Sequence, residues 1–212
     1  MLVIGLAGGV ASGKSLVARC FEHFGAIVLD ADRIGHEVLK EPDVIAAVES
    51  QWGKTVLKDG KIDRRALGQI VFGSTDCNTN HLEILERITH PRIGHRIRER
   101  LVELESETPA VVLDAPVMFK SGWDQLCDKV VFVDANTSLR QQRAAQRSWD
   151  ADELAKREMR QTSIAEKRSK STEFINNSTT REETYHQVLM LWRTWSLPLS
   201  DSFDSPTSLF SN

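Results

Sequence analysis

The segment Gly-Gly-Val-Ala-Ser-Gly-Lys-Ser at residues 8–15 constrains the fold of this chain more than any other feature. It fits the phosphate-binding loop pattern: Gly, four arbitrary residues, Gly-Lys, then Ser or Thr. Such a loop cradles phosphates with its backbone N–H groups where a buried strand precedes it and a helix follows. The apolar run 2–7 supplies the strand, and helix-spaced apolar residues over 16–24 supply the helix. The segment therefore predicts a strand, a phosphate-binding loop and a helix.

Short apolar runs recur along the chain and predict further strands. They are continuous rather than alternating, which favours parallel strands covered on both faces. Helical patterns separate them, as in an α/β protein with a doubly wound parallel sheet. The five predicted strands are 2–7, 26–31, 110–115, 129–135 and 173–177.

The spacing of these strands predicts the domain organisation. The gap from Asp32 to Pro109 is too long for a simple crossover and holds helical patterns without a convincing strand, and within it Pro91 is placed to begin a new helix. We expect a nucleotide-binding core (1–34, 106–136 and 171–195), a helical insertion over the top of the sheet (35–105), two lid helices (137–170) joined near residues 149–151, and a disordered Ser/Asp/Pro-rich tail (196–212).

Composition excludes several classes of protein. The apolar content of 41% and charged content of 27% are ordinary for a globular protein, and no apolar run reaches the length of a membrane span. The net charge of −3 argues against a nucleic-acid partner. The three cysteines (Cys20, Cys77 and Cys127) are scattered, and the first apolar run lacks the basic leader of a signal peptide. We expect a cytoplasmic protein that does not act at a membrane, as a monomer or weak homo-oligomer.

Side chains in the loop and at the ends of the predicted strands suggest phosphoryl-transfer chemistry. Lys14 is expected to reach the β- and γ-phosphates, and the Ser15 hydroxyl to bind Mg²⁺. Asp30 and Asp32 lie at the end of the second strand and point the same way if the strand continues. One of them could accept the proton of an attacking hydroxyl, or merely cap the next helix. Asp114 ends the third strand, where it either organises magnesium or simply ends a buried strand.

Basic residues on the predicted lid helices fit transfer of a phosphoryl group. Arg143 and Arg147 are spaced i, i+4, and Arg157 follows on the next helix. Arginines on a closing helical hairpin stabilise phosphoryl transfer and exclude water. The alternative is an ordinary solvated face.

The order of several motifs resembles the dephospho-CoA kinase family over residues 2–195. These are "GLAGGVASGKS", "VLDAD", "DGKIDRRALGQIVF", "LERITHPRI", "VVLDAPVMF", "VVFVDA" and "FINN". The resemblance implies a P-loop NTPase fold of the nucleoside-monophosphate-kinase type. It also implies that ATP, with Mg²⁺, phosphorylates the ribose 3′-hydroxyl of dephospho-coenzyme A in the last step of coenzyme A synthesis.

The resemblance also assigns residues by position. Asp32 matches the proposed base of the family. Asp32, Arg64 and His90 match its substrate-binding residues. A His before Pro, such as His90, is equally a helix cap. Arg143, Arg147 and Arg157 match the lid. The ATP-binding positions are Gly8, Gly9, Ala11, Ser12, Gly13, Lys14, Ser15, Leu16, Arg143 and Asn177, the last near the adenine.

This chain departs from the family pattern inside the loop. The family usually has Gly at the position of Ala11 and Thr at that of Leu16. We expect Ala11 to occupy an ordinary backbone region, where a methyl group is tolerated. Two other functions remain open on residues alone: a nucleoside or nucleotide monophosphate kinase, and a GTPase switch, for which "DRIG" at 32–35 matches one motif without a guanine-reading partner.

Overall fold

The computed structural model describes residues 1–73, 80–104 and 108–200 of the chain. Its main sheet has five strands in the order β2-β5-β1-β6-β7, and every neighbouring pair is parallel. All five predicted strands and the α/β fold class are therefore confirmed. The strands are β1 (Leu2–Gly8), β2 (Ile27–Asp30), β5 (Ala110–Asp114), β6 (Lys129–Asp134) and β7 (Glu173–Asn176).

Helices alternate with the strands along the chain. Among them, α1 (Lys14–His23) begins at the end of the phosphate-binding loop, and α9 (Arg181–Thr194) begins with a capping box formed by Thr180 and Glu183. The others are α2 (Ala31–Val38), α3 (Pro42–Trp52), α4 (Arg64–Gly73), α5 (His81–Leu104), α6 (Thr137–Ala145), α7 (Ala151–Met159) and α8 (Ile164–Ser169).

The core of the sheet is closed on one side by α1 and α9. Phe21 and Phe24 from the α1 end, together with Tyr185 and Trp192 of α9, are almost fully buried against strand residues such as Ile4. Their rings meet at tilted or edge-on angles with centroids about 5–6 Å apart. This packing fixes α1, and with it the loop from which α1 starts.

The chain divides into two compact units, residues 1–30 with 101–212, and residues 31–100. The second unit is mainly helical but also contains a small antiparallel hairpin of β3 (Leu57–Lys58) and β4 (Lys61–Ile62). The expectation of no strand in this region was therefore wrong. Each strand has only two residues, and Asp59 and Gly60 form the turn with positive φ, so no apolar alternation marks them in the sequence.

The segment around Pro91 differs from the prediction that a new helix begins there. A single helix, α5, runs through it. Thr89, Ile93 and Ile97 are buried at four-residue spacing on both sides of the proline, and this common buried stripe keeps the helix continuous. The Thr89 hydroxyl donates to the Leu85 carbonyl in the same turn at 2.9 Å.

Two other expectations about helices and the tail need correction. The segment 137–170 holds three helices rather than two, because α8 follows α7. The predicted disordered tail begins too early: Trp192 donates to the Pro198 carbonyl, and Ser200 donates its backbone N–H to the Phe24 carbonyl. Residues 196–200 are thus held against the core, while 201–212 lie outside the described residues.

No helix in the described part of the chain is long and apolar enough to cross a membrane. Cys20 and Cys127 are free thiols, and burial raises the pKa of each to about 12. Cys77 lies outside the described residues.

Candidate active site

The phosphate-binding loop joins β1 to α1 as the sequence predicts. Gly13 precedes the first residue of the helix, Lys14, and adopts a left-handed conformation with φ 98°. The Ser12 N–H donates to the Gly9 carbonyl at 3.1 Å, and the Leu16 N–H donates to the Gly13 carbonyl at 2.9 Å. The loop therefore turns tightly and leads into a helix N-terminus, the arrangement that binds phosphate through backbone N–H groups.

Ala11 does not occupy the ordinary backbone region that we expected from the sequence. Its φ is +60°, in the left-handed region that a residue with a Cβ atom rarely adopts. The prediction was wrong because the backbone of the loop turns at residue 11 with a positive φ. The methyl group of Ala11 therefore brings strain to the loop.

Two loop glycines are required by close packing from behind. A Cβ atom at Gly9 would lie 2.8 Å from the Arg140 guanidinium, and a Cβ at Gly13 would collide with the Asn177 amide. Side chains from distant parts of the chain thus press against the loop backbone. Glycine at these two positions leaves both side chains in place, whereas a Cβ atom would displace them.

Asn177 follows β7 and is 1% exposed. Its side-chain amide donates to the Ser12 carbonyl at 2.7 Å, and its side-chain oxygen accepts from the Thr184 hydroxyl at 2.9 Å. Both ends of the amide are therefore engaged in holding the loop to β7 and α9.

Arg143 of α6 holds the same part of the loop. One guanidinium nitrogen donates to the Ser12 carbonyl at 3.0 Å and the other donates to the Asn177 carbonyl at 3.1 Å. Burial lowers the pKa of Arg143, and the like charges of Arg147 and Arg181 lower it further. The residue remains charged, because an arginine guanidinium is not deprotonated in proteins.

A second arginine of α6, Arg140, is 7% exposed and forms an ion pair with Glu158 of α7. Next to it, Val10 of the loop packs with Ala144 of α6 and Leu154 of α7. An ion pair thus joins α6 to α7, and a small apolar cluster joins both helices to the loop. In the sequence, Arg140 resembles any other arginine of a basic helix.

Lys167 of α8 is, with Arg140, a residue at this site that sequence analysis missed. It is 4% exposed, and its ammonium donates to the Gly8 carbonyl at 3.1 Å and to the Gln161 side-chain oxygen at 2.6 Å. It lines a small pocket with Lys14 and Gly8 of the loop and with Phe119. Its neighbours in sequence, Arg168 and Lys170, are solvated, and no pattern distinguishes Lys167 from them.

Burial, and after it the charge of Lys14, lower the pKa of Lys167 from 10.5 to about 8. Arg140 acts in the same direction, whereas Glu158 opposes it. Together with Arg143, these residues make four cations and one carboxylate at the loop, which leaves an excess of positive charge beside the expected phosphate position.

The predicted pair Asp30 and Asp32 does not lie on one strand. β2 ends at Asp30, which is in register with Asp114 of β5, and α2 begins at Ala31. Asp32 is therefore an exposed residue of the first turn of a helix, where a carboxylate is favoured by the helix dipole. The premise that the two side chains share a strand face was wrong, because the backbone turns helical one residue after Asp30.

The predicted substrate-binding residues Arg64 and His90 belong to the second unit. Arg64 is the first residue of α4, and its guanidinium lies 2.7 Å from the His36 imidazole of α2. His90 is a half-buried residue in the interior of α5 and is not a helix cap.

The remaining predicted lid arginines surround an aromatic ring. Trp149 lies between α6 and α7, with the Arg157 guanidinium 4.2 Å and the Arg147 guanidinium 5.4 Å from its ring centre. Arg157 also pairs with Glu153 at 2.8 Å. The structure thus joins Arg143 to the loop, and joins Arg147 and Arg157 to each other through Trp149.

The described residues contain no cluster of three or more His, Cys, Asp or Glu side chains that could hold a metal ion. Two oxygen donors on the loop side of the sheet are the Ser15 hydroxyl in the first turn of α1 and the Asp114 carboxylate at the end of β5, the strand next to β1. Oxygen donors of this kind, few in number, fit Mg²⁺, which keeps several waters and binds substrate phosphates.

Comparison with known proteins identifies relatives of the whole fold. The family model described as dephospho-CoA kinase matches residues 2–183. A dephospho-CoA kinase of Geobacter metallireducens is 39% identical, over 91% of this chain and 96% of its own. One from Rhodopirellula baltica is 37% identical, over 85% of each chain.

Solved structures agree with the sequence relatives. A crystal structure of a Thermus thermophilus protein has a TM-score of 0.76 at 28% identity, covering 92% of this chain and 97% of its own. A dephospho-CoA kinase from Campylobacter jejuni has a TM-score of 0.68 at 27% identity, over 92% of this chain and 96% of its own.

Proposed function

Because the chain belongs to the dephospho-CoA kinase family, we propose that it uses ATP and Mg²⁺ to phosphorylate the ribose 3′-hydroxyl of dephospho-coenzyme A. The residues alone also left open a monophosphate kinase and a GTPase switch. The family to which the chain belongs is neither of these. The reaction makes coenzyme A and is the last step of coenzyme A synthesis.

The phosphate-binding loop is the observation that carries the proposal. Its backbone turns into the N-terminus of α1 with Gly13 in the left-handed region, and Lys14 is the first helical residue. N–H groups at a helix N-terminus and a lysine together bind the β- and γ-phosphates of a nucleoside triphosphate. The buried cations Arg140 and Lys167 and the half-buried Arg143 support the same interpretation, because they add positive charge behind the loop.

Ser15 and Asp114 would hold the magnesium ion. The Ser15 hydroxyl would bind it directly and the Asp114 carboxylate would orient its water ligands, as suits a cation that retains water. When bound, the ion neutralises charge on the phosphates during transfer.

The proposed acceptor residues are Asp32, Arg64 and His90. Asp32 would orient the 3′-hydroxyl and accept its proton as the bond to phosphorus forms. Its exposure leaves the carboxylate accessible to a substrate. Arg64, which lies beside His36, offers a cation for the phosphates of the CoA substrate. His90 would contact the substrate from α5.

The reaction would proceed by direct in-line transfer. The loop and Lys14 hold the triphosphate, and Arg147 and Arg157 of the proposed lid would approach the phosphates on closure. Water is excluded by that closure, so that the phosphoryl group passes to the hydroxyl rather than to water. Arg143 would act through the loop, since its two hydrogen bonds hold the Ser12 and Asn177 carbonyls.

The test of this proposal is whether ATP consumption depends on the acceptor. Purified protein with MgATP should release ADP slowly alone and rapidly when dephospho-coenzyme A is added, and Lys14→Ala should abolish both rates. A variant with Lys54→Ala is the matched control, because Lys54 lies outside the loop, in the second unit. Equal ADP release with and without the acceptor would contradict the proposal.

A further inference from the structure

Lys167 is buried although nothing in the sequence marks it as special. Lysine is almost never fully buried unless it is paired, because removing an ammonium group from water is costly. Here its partners are two neutral oxygens, the Gly8 carbonyl and the Gln161 side chain. No salt bridge to Lys167 occurs in the described part of the chain, so a charge that arrives with a ligand would be its natural counterpart.

The position of Lys167 identifies what that ligand charge would be. Gly8 is the first glycine of the phosphate-binding loop, and Lys167 shares a pocket with Lys14, the lysine expected to bind the β- and γ-phosphates. Two ammonium groups that share a small pocket repel each other until an anion joins them. A nucleotide brings several negative charges to this loop.

We propose that Lys167 is a positioning residue of the phosphate-binding loop, whose ammonium group holds the Gly8 carbonyl in place, and that binding of nucleotide phosphates drives Lys167 into its protonated state. The proposal rests on nucleotide binding at this loop, as set out under the proposed function. It adds a residue from α8, far along the chain, to the groups that prepare the loop for phosphate.

The electrostatic surroundings of Lys167 support this coupling. The charged groups that act on it are Lys14 of α1, Arg140 of α6 and Glu158 of α7, and the other residues lining the shared pocket carry no titratable side chain. With a pKa of about 8, about half of the Lys167 side chains lack their proton at pH 8 in the free protein. Phosphate charge beside the pocket raises that pKa, so that binding takes up a proton.

The experiment is titration calorimetry with MgADP in pairs of buffers that differ in ionisation enthalpy, which counts the protons taken up on binding. At pH 8 the wild type should take up as much as about half a proton per nucleotide, and at pH 6.5 almost none from Lys167. Lys167→Met should bind more weakly and lose the uptake seen at pH 8. Lys170→Met is the matched control, because Lys170 follows the same helix but is exposed and paired with Glu166, and it should behave as the wild type.

A second variant tests the coupling if Lys167→Met fails to fold. Gln161→Leu removes one acceptor from the ammonium group, which lowers the pKa of Lys167 further and moves the uptake curve to lower pH. Unchanged proton uptake in Lys167→Met, or a wild type that binds MgADP without uptake at pH 8, would overturn the inference. Absence of MgADP binding by the wild type at any pH would instead overturn the proposed function on which it rests.

Discussion

At the scale of single residues, Asp32 is the side chain that the proposed chemistry depends on most. We expect Asp32→Asn to lower turnover by about 10²- to 10⁴-fold, because the amide cannot accept the proton of the attacking hydroxyl. Affinity for MgATP should not change, since the loop and Lys14 are intact. Steady-state kinetics with a separate nucleotide-binding measurement would separate the two effects.

Asp30→Asn is the control for this prediction, because Asp30 is the neighbouring exposed carboxylate at the end of β2. It should retain most of the turnover. Normal turnover in Asp32→Asn would show that another group accepts the proton.

Ala11 carries strain that a glycine would remove. Its φ of +60° costs on the order of 1–2 kcal/mol for a residue with a Cβ atom. We expect Ala11→Gly to raise the free energy of unfolding, by less than that amount because glycine also gains freedom in the unfolded chain. Denaturant titration would measure the change.

The same substitution should have the opposite sign in a helix. Ala18→Gly, inside α1, is expected to destabilise by about 1 kcal/mol or more. A loss of stability in Ala11→Gly comparable to that of Ala18→Gly would contradict the strain argument.

Lys167 makes the stability of the protein depend on pH in a defined window. Between pH 8 and 10.5 the unfolded chain binds more protons than the folded protein, because burial lowers the folded pKa to about 8. Stability of the wild type relative to Lys167→Met should therefore rise through this window, by on the order of 1–3 kcal/mol, and be flat below it. Denaturant titrations of both proteins at pH 7, 8, 9 and 10 would measure the difference in their free energies of unfolding. A difference that does not change with pH would show that folding does not lower the pKa of Lys167.

At the scale of secondary-structure elements, the end of β7 and the beginning of α9 hold the phosphate-binding loop through Asn177. Asn177→Ala leaves the Ser12 carbonyl and the Thr184 hydroxyl each without one partner, which costs about 1–3 kcal/mol for a buried pair. Since the amide holds the loop, we expect affinity for ATP and GTP to fall by a similar factor. Asn176→Ala, at an exposed position, is the control.

The resemblance instead places this asparagine near the adenine. In that case Asn177→Ala would weaken ATP much more than GTP. Binding of both nucleotides to the variant distinguishes the two roles.

The segment after α9 is a structural part of the core. Trp195 stacks on Phe21, and Leu197 and Leu199 pack against the same cluster. A chain ending at Trp195 should therefore melt at a lower temperature than one ending at Ser200, because only the longer one retains the Leu197 and Leu199 contacts and the Ser200 hydrogen bond. Equal melting temperatures would contradict this role for 196–200.

At the scale of the whole molecule, the sequence predicts the sheet well because its strands are continuous apolar runs with charged or polar residues at their ends. The sequence also predicts the phosphate-binding loop, because the loop motif specifies the loop backbone and the strand and helix on either side of it. Patterns of this kind are local, and a local pattern is visible in a single sequence.

The features that could not be predicted depend on contacts between distant residues. Lys167 and Arg140 look like solvated basic residues, and only the fold places them behind the loop. Pro91 is typical of a helix start, but α5 runs through it because its buried stripe is continuous. The residues after Trp195 have the composition of a disordered tail, but Leu197 and Leu199 pack against the core. The substrate-binding role of Arg64 and His90 stays a prediction that rests on resemblance.

Identification of the reaction product tests the central claim most directly. The protein should be incubated with MgATP and, separately, with dephospho-coenzyme A, nucleoside monophosphates and shikimate, and the products analysed by mass spectrometry. The account predicts a single phosphorylated product, coenzyme A, formed only from dephospho-coenzyme A and carrying its new phosphate on the ribose 3′-oxygen. Phosphorylation of a nucleoside monophosphate or of shikimate, with dephospho-coenzyme A left unchanged, would contradict it.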